Sequence, residues 1–354
     1  MKEKRINKIG ILVIALTFAV AWFWMDMKSF ADARLNLPET NYLYTIEPGM
    51  NLTRIARELE ANQIISSAQK LKLLAKLQGS ANHIRLGEYE LAQSDTIQSF
   101  LDKIVRGEVK QYSLTLVEGW NFHQVMDAIH NDTVLTHSLK GLSAKQIMAK
   151  LGYPEQHPEG RFFPDTYHFP RGMSDLSILK QAYEKMAQTL KAEWPKRLGA
   201  LPYETPYDAL IMASIVEKET AVPSERTAIA GVFVRRLEVG MRLQTDPTII
   251  YGLGQSFDGN LRKKHLQDSS NPYNTYRIKG MPPTPIAMPG VEAIRAALNP
   301  MPGEALYFVS KGDGSHYFSA TLDEHNRAVV RYQLKGRKRA FSSMKKDGTA
   351  IKDK

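Results

Sequence analysis

From Ile9 to Met25 the chain runs IGILVIALTFAVAWFWM, a stretch without a single charge. At 1.5 Å per residue a helix over it is roughly 25 Å long, short but sufficient for a thin bilayer. Lys2, Lys4, Arg5 and Lys8 precede the run, and Trp22 and Trp24 sit at its far end. Amphipathic rings prefer the headgroup layer, and a basic flank stays cytoplasmic. The expectation is a cytoplasmic segment at 1–8, a transmembrane anchor at 9–25 and a tether at 26–42. The body would then lie outside the cytoplasm, held to the inner (plasma) membrane by one pass. The competing reading is a cleaved signal peptide, since Ala31-Asp32-Ala33 is a small-x-small cleavage site. Against it, the run exceeds the ~7–15 residues of a signal core, and its aromatic end suits an anchor.

With 354 residues, two or three domains are expected, and 43% apolar residues allow a sizeable core. The absence of cysteine excludes disulfide scaffolds, Cys-ligated zinc, iron–sulfur clusters and thiol catalysis. The net charge of +10 would suit a nucleic-acid binder if it were spread over a face. It is not: residues 1–8 carry +3 and residues 335–354 carry +6, which leaves the body at +1. The N-terminal share orients the anchor, and the C-terminal share belongs to a basic tail expected to be disordered. No nucleic-acid partner is implied.

An internal echo follows the anchor. TIEPGMNLTRIA from Thr45 aligns with TLVEGWNFHQVM from Thr115, with Thr45/Thr115, Gly49/Gly119 and Asn51/Asn121 identical. Each copy reads as strand, glycine turn, Asn helix cap and amphipathic helix. Residues 43–130 are therefore expected to form small α+β units, 131–173 a junction rich in Pro, Gly and His, and 174–334 a mixed α+β domain. The first copy resembles the opening of a LysM module, a family that binds N-acetylglucosamine polymers. That resemblance implies peptidoglycan contact; the alternative is a strand–helix packing unit with no sugar site.

The chemistry concentrates after Asp208. The helix DALIMASIVEKET is apolar all round in its first turns and carries Glu217 and Glu219 at its end. Residues two apart on a helix point in separate directions, so one carboxyl can face a cleft while the other faces solvent or an ion pair. Glu219 continues the face of Met212, Ile215 and Val216; Glu217 continues that of Leu210, Ala213 and Ser214. An acid among apolar neighbours, at the negative end of a helix dipole, has a raised pKa and suits general acid catalysis. Spacing alone leaves open an exposed helix end making weak ion pairs. Beyond it come RLQTDPT from Arg242, YNTY from Tyr273, the proline-rich GMPPTPIAMPG from Gly280, and a β-hairpin pattern around Gly312 and Gly314. Loops rich in Tyr, Asn and Pro suit a groove that stacks and hydrogen-bonds sugar rings.

With GSHYF from Gly314 and EHN from Glu324, these segments resemble the endolytic murein transglycosylase (YceG-like) family from about Tyr44 to Leu334. The resemblance implies a three-part α+β chain: a transmembrane helix, a LysM-like subdomain and a YceG-like catalytic domain. It implies a lyase that cuts the β-1,4 bond between N-acetylmuramic acid and N-acetylglucosamine inside glycan strands, leaving 1,6-anhydro ends. Glu219 matches the family's catalytic glutamate. As the proton donor it would release the leaving oxygen, then accept the proton of the muramic C6 hydroxyl as that oxygen attacks C1. No water is needed, so a second carboxylate is dispensable. Gln244, Asp246, Asn274 and Tyr276 are candidates to orient the sugar or stabilise the developing positive charge; each could equally be a loop-fixing side chain. Glu217 is expected to be structural. No metal site or cofactor is indicated: there is no G-x-S-x-G, H-E-x-x-H or Walker A motif, and His316 and His325 are expected to stabilise the domain. The family suggests that the enzyme ends nascent strands near peptidoglycan synthases. Two other readings are a non-catalytic peptidoglycan-binding scaffold and a muramidase-type hydrolase with Glu217 or Asp246 as partner carboxylate.

Overall fold

The structure, a computed structural model, describes residues 2–334; the basic tail at 335–354 lies outside the described residues. The chain divides into two compact units. Unit 1 holds the chain up to Tyr112 together with His168–Gly172, and unit 2 holds Ser113–Tyr167 and everything from Met173. The division therefore falls inside the region expected to be continuous to residue 130.

Helix α1 (Lys2–Asp32) is unbroken, and its part from Lys8 is long and apolar enough to cross a membrane. The polar tether expected at 26–42 does not begin at residue 26. Helix continues to Asp32, and Met27, Phe30, Ala31 and Leu35 are buried in the core of unit 1. Asp26 pairs with Lys70 at 2.7 Å, and the same ammonium lies over the Phe30 ring. Apolar residues every three or four positions carry the helix past the uncharged run and into the folded body. The cleavage motif is consequently occupied: processing after Ala33 would require Phe30 and Ala31 to leave the core. An N-terminal tag should stay joined to the body in the mature protein, as intact mass or blotting would show; a mature chain starting at Arg34 would contradict this.

The remainder of unit 1 is β1 (Tyr42–Ile46), α2 (Leu52–Ala61), α3 (Ala68–Leu77), β2 (Gly87–Leu91) and α4 (Ile97–Arg106). β1 and β2 are antiparallel, from Tyr42 opposite Leu91 to Ile46 opposite Gly87. Alternation turns Tyr44 and Ile46 onto Ile55, Leu59, Tyr89 and Phe100. Arg171 reaches Glu88 at 3.0 Å, which accounts for His168–Gly172 belonging here.

Both copies of the echo form as read. Gly49 and Gly119 adopt φ of +87° and +77°, which a side chain would strain. Asn51 accepts a hydrogen bond from the Arg54 amide and Asn121 from that of Gln124, each capping a helix. The first copy starts α2. The second lies in unit 2, after β3 (Gln111–Thr115), and starts α5 (Phe122–Asn131).

Unit 2 continues with α6 (Ala144–Leu151), β4 (Thr166–Pro170), α7 (Asp175–Glu193), α8 (Pro206–Glu219), α9 (Arg226–Glu238), α10 (Asp246–Leu253), α11 (Lys263–Gln267) and α12 (Val291–Leu298). It closes with an antiparallel hairpin, β5 (Tyr307–Ser310) and β6 (His316–Ser319), and α13 (Leu322–Tyr332). The hairpin turn contains Gly312 and Gly314, as expected. Helix α8 is the axis of this unit. Thr205 and Asp208 form its capping box, Pro206 opens its first turn, and Ala209 to Val216 are all buried between α7, α9 and α12. An all-round apolar sequence is thereby enclosed on every side, and its C-terminus is held fixed.

Candidate functional site

Glu219 ends α8, and Thr220 leaves the helix in extended conformation. Its carboxyl borders a cavity of about 640 Å³ walled by Arg236, Gln244, Asp246, Tyr276, Tyr307 and His316, among others. The hydroxyl of Thr245 donates to Glu219 Oε1. Burial is the largest influence on this acid and raises its pKa to about 6; the charge of Asp246 pushes the same way. The Thr245 hydrogen bond and the positive side of His316 and Arg236 oppose that rise. An acid of this kind is protonated in mildly acidic surroundings and readily ionised near neutrality, as a group that both gives and takes a proton must be.

Thr245 owes its aim to its neighbours. Its amide bonds Thr275 Oγ1 at 3.0 Å, its carbonyl accepts from Thr248 Oγ1 at 2.7 Å, and the Thr248 and Thr275 hydroxyls meet at 2.9 Å. All three threonines are buried. Thr245 stands at the N-cap of α10 yet makes no capping hydrogen bond, because its hydroxyl is turned to Glu219. A local rule of helix ends is broken where the chemistry needs the donor elsewhere. Just before it, Gln244 adopts φ of +49°, a conformation uncommon for a non-glycine residue and frequent at functional sites.

Three of the four proposed sugar contacts meet at this cavity. Gln244 and Asp246 are exposed along its wall, and Tyr276 donates to Asp246 Oδ1 at 2.8 Å. Asn274 does not join them. It is fully buried, its amide nitrogen donates to the carbonyls of His265, Leu266 and Asp268, and its oxygen accepts from the Tyr276 amide. With donor and acceptor engaged by the chain, Asn274 fixes the loop that carries Tyr276 and has nothing to offer a sugar.

Glu217 has the structural place expected of it, though not at a solvent-facing helix end. Its side chain is 7% exposed, accepts the Gly290 amide at 3.0 Å and lies 3.6 Å from Arg226. With Ser214, whose hydroxyl accepts the Ile286 amide, it fastens the proline-rich segment to α8. The mutual hydrogen bonds of Gly119 and Trp120 with Met288 fasten the second echo copy to the same segment. A second cavity, of about 400 Å³, opens on this side and shares Glu219 with the first.

Several residues were given no part in the site from sequence. Thr245 stood inside a quoted motif but behind its more conspicuous neighbours. Arg236, in the last turn of α9, is buried and donates through Nε to Leu306 O at 2.7 Å and through Nη1 to Leu243 O. His316 lines the cavity with its ring 2.7 Å from Glu225. His325 is stacked on Tyr307, and burial lowers its pKa to about 4, so it is neutral at physiological pH. Among the described residues no group of side chains could hold a metal ion.

Replacing Thr245 by Val tests the origin of the Glu219 pKa. Loss of the donor should raise that pKa further, so the alkaline limb of kcat/KM moves to higher pH. Weaker orientation should cost about 1–2 kcal/mol, or about tenfold, at the optimum. An unmoved limb would detach Thr245 from the titration.

Comparison with known proteins bears on this geometry. A family model described as the YceG-like family matches residues 44–331. An endolytic murein transglycosylase of Bacillus subtilis (strain 168) is 32% identical over 322 residues, covering 83% of this chain and 85% of that protein. One of Streptococcus pneumoniae serotype 2 is 26% identical over 326 residues, 81% of this chain; the match spans only 57% of that longer protein. A crystal structure of a yceG-like protein from Listeria monocytogenes is similar with a TM-score of 0.53 and 30% identity, over 81% of this chain and 98% of that one.

Proposed function

The chain belongs to the YceG-like family, and on that footing we propose that it is an endolytic murein transglycosylase with Glu219 as its catalytic acid and base. The observation that carries the assignment is the cleft carboxyl of Glu219, desolvated to a pKa of about 6 and held by the Thr245 hydroxyl. Protonated Glu219 donates to the glycosidic oxygen as the bond to muramic C1 breaks. The resulting carboxylate takes the proton of the C6 hydroxyl while O6 bonds to C1. The 1,6-anhydro ring closes, and Glu219 ends protonated, ready for another turn. Attack from within the same sugar has the advantage of a high effective molarity. Gln244, Asp246 and Tyr276 orient the ring, and the carboxylate of Asp246 favours the positive charge that grows on it.

The apolar part of α1 anchors the protein in the plasma membrane with its basic N-terminus cytoplasmic, and both units act on the wall side. The β1–α2–α3–β2 order of unit 1 supports a LysM-like contact with glycan. An endolytic cut at the membrane would end nascent strands beside the synthases that extend them.

Digestion of purified sacculi by the full chain in detergent tests the reaction. Mass spectrometry should find anhydro-ended muropeptides. Products heavier by one water would instead mark a hydrolase using a second carboxylate, and no products at all would mark a binding scaffold.

A further inference from the structure

An enzyme that cuts inside a strand must accommodate sugar on both sides of the broken bond. Glu219 lines two cavities, and the mechanism above uses only the larger. The smaller one is lined by Glu118, Gly119, Glu217, Lys218, Thr220 and Arg226. Its chemistry is dense in hydrogen-bonding groups and nearly balanced in charge, which suits a neutral, polar ring.

Arg226 is its unusual member. The side chain is only 12% exposed, yet among the described residues the guanidinium makes no hydrogen bond, and Nε is buried without a partner there. Its nearest acids, Glu217 and Glu118, stand 3.6 and 3.8 Å from Nη2, outside hydrogen-bonding reach. It is also the first residue of α9, where the helix dipole disfavours a cation. A guanidinium has five donors in a rigid fork. Buried donors left unmade beside a cleft are expected to be completed by what enters it. The preceding residue, Glu225, holds His316 in the wall of the larger cavity. Adjacent residues of the chain therefore serve the two cavities that Glu219 lines.

We propose that the smaller cavity is a second sugar-binding subsite, sharing Glu219 with the larger cleft. Arg226 donates there to an acceptor oxygen of an N-acetylated sugar of the glycan strand, an amide carbonyl or a ring substituent. Lys218, whose ammonium reaches the Gly119 carbonyl at 3.2 Å, stands at the rim of the same subsite. The assignment rests on the transglycosylase reading.

The test is binding of fluorescently labelled, uncrosslinked glycan strands to the full chain in detergent, in a Glu219→Gln background so that nothing is cut. Adding Arg226→Ala should raise Kd at least tenfold, and Arg226→Lys should restore it only in part. The thermal midpoint of each variant reports whether it folds. If Arg226→Ala does not fold, Lys218→Ala, an exposed substitution, should weaken binding about threefold. Equal Kd with and without Arg226, or with and without Lys218 when Arg226→Ala is unfolded, overturns the subsite. Failure of the underlying reading is seen separately, as wild-type protein that yields no anhydro ends from sacculi.

Discussion

Glu219→Gln should abolish the release of anhydro-ended muropeptides from sacculi, a loss of about 10³-fold or more. The size follows from one carboxyl serving both proton transfers. The amide cannot donate to the leaving oxygen as an acid does, nor accept the C6 proton, although it can still receive the Thr245 hydrogen bond. The same substitution should stabilise the protein, and the sign is set by the pKa. The folded value, about 6, lies above the ordinary 4.5. Ionised Glu219 is therefore disfavoured in the fold, and its contribution to stability is lost as pH rises through about 6. Against wild type the variant should gain about 1–2 kcal/mol at pH 8 and nothing at pH 4. Chemical denaturation at the two pH values measures this. Undiminished anhydro release by the variant would remove Glu219 from the mechanism.

Arg236→Ala should lower both stability and the quality of the site. The side chain is buried, bridges the carbonyls of Leu243 and Leu306, and lies 5.5 Å over the Tyr307 ring. Truncation orphans two carbonyls and leaves a void where α9, the loop before Thr245 and β5 converge. A cost of about 3 kcal/mol is expected, or about 6–12 °C in the thermal midpoint. Part of the positive field that holds the Glu219 pKa down is lost as well, so the alkaline limb of kcat/KM should move to higher pH. An unchanged midpoint with an unchanged pH profile would leave Arg236 without the role its position implies.

What could be read from the residues depended on whether the cause was local. The cap asparagines, the turn glycines and the apolar wrap of α8 each act within a few positions, and each appears where the pattern put it. The unit boundary at Tyr112 was not legible, because the two echo copies are alike in local character while their burial partners lie far along the chain. The choice between sugar contact and loop fixing stayed open at Asn274 for the same reason. An asparagine in an aromatic loop looks free to meet a sugar, and only the folded course of residues 265–268 shows three carbonyls closing on its amide. Thr245 and Arg236 work through tertiary geometry alone: a hydroxyl turned away from its own helix, and a guanidinium drawn inward between two loops. The tether was mistaken because its polar residues drew more notice than Met27, Phe30 and Ala31, which carry α1 onward into the core.

That continuity has a consequence for where the protein can work. A helix that runs unbroken from its apolar stretch into a packed core gives unit 1 no free length of chain on which to drift from it. Under the proposed anchoring, with the apolar half of α1 in a bilayer, unit 1 is held at the membrane face and meets glycan by diffusion in two dimensions. Its encounter rate is then governed by how many strands reach that face per unit area.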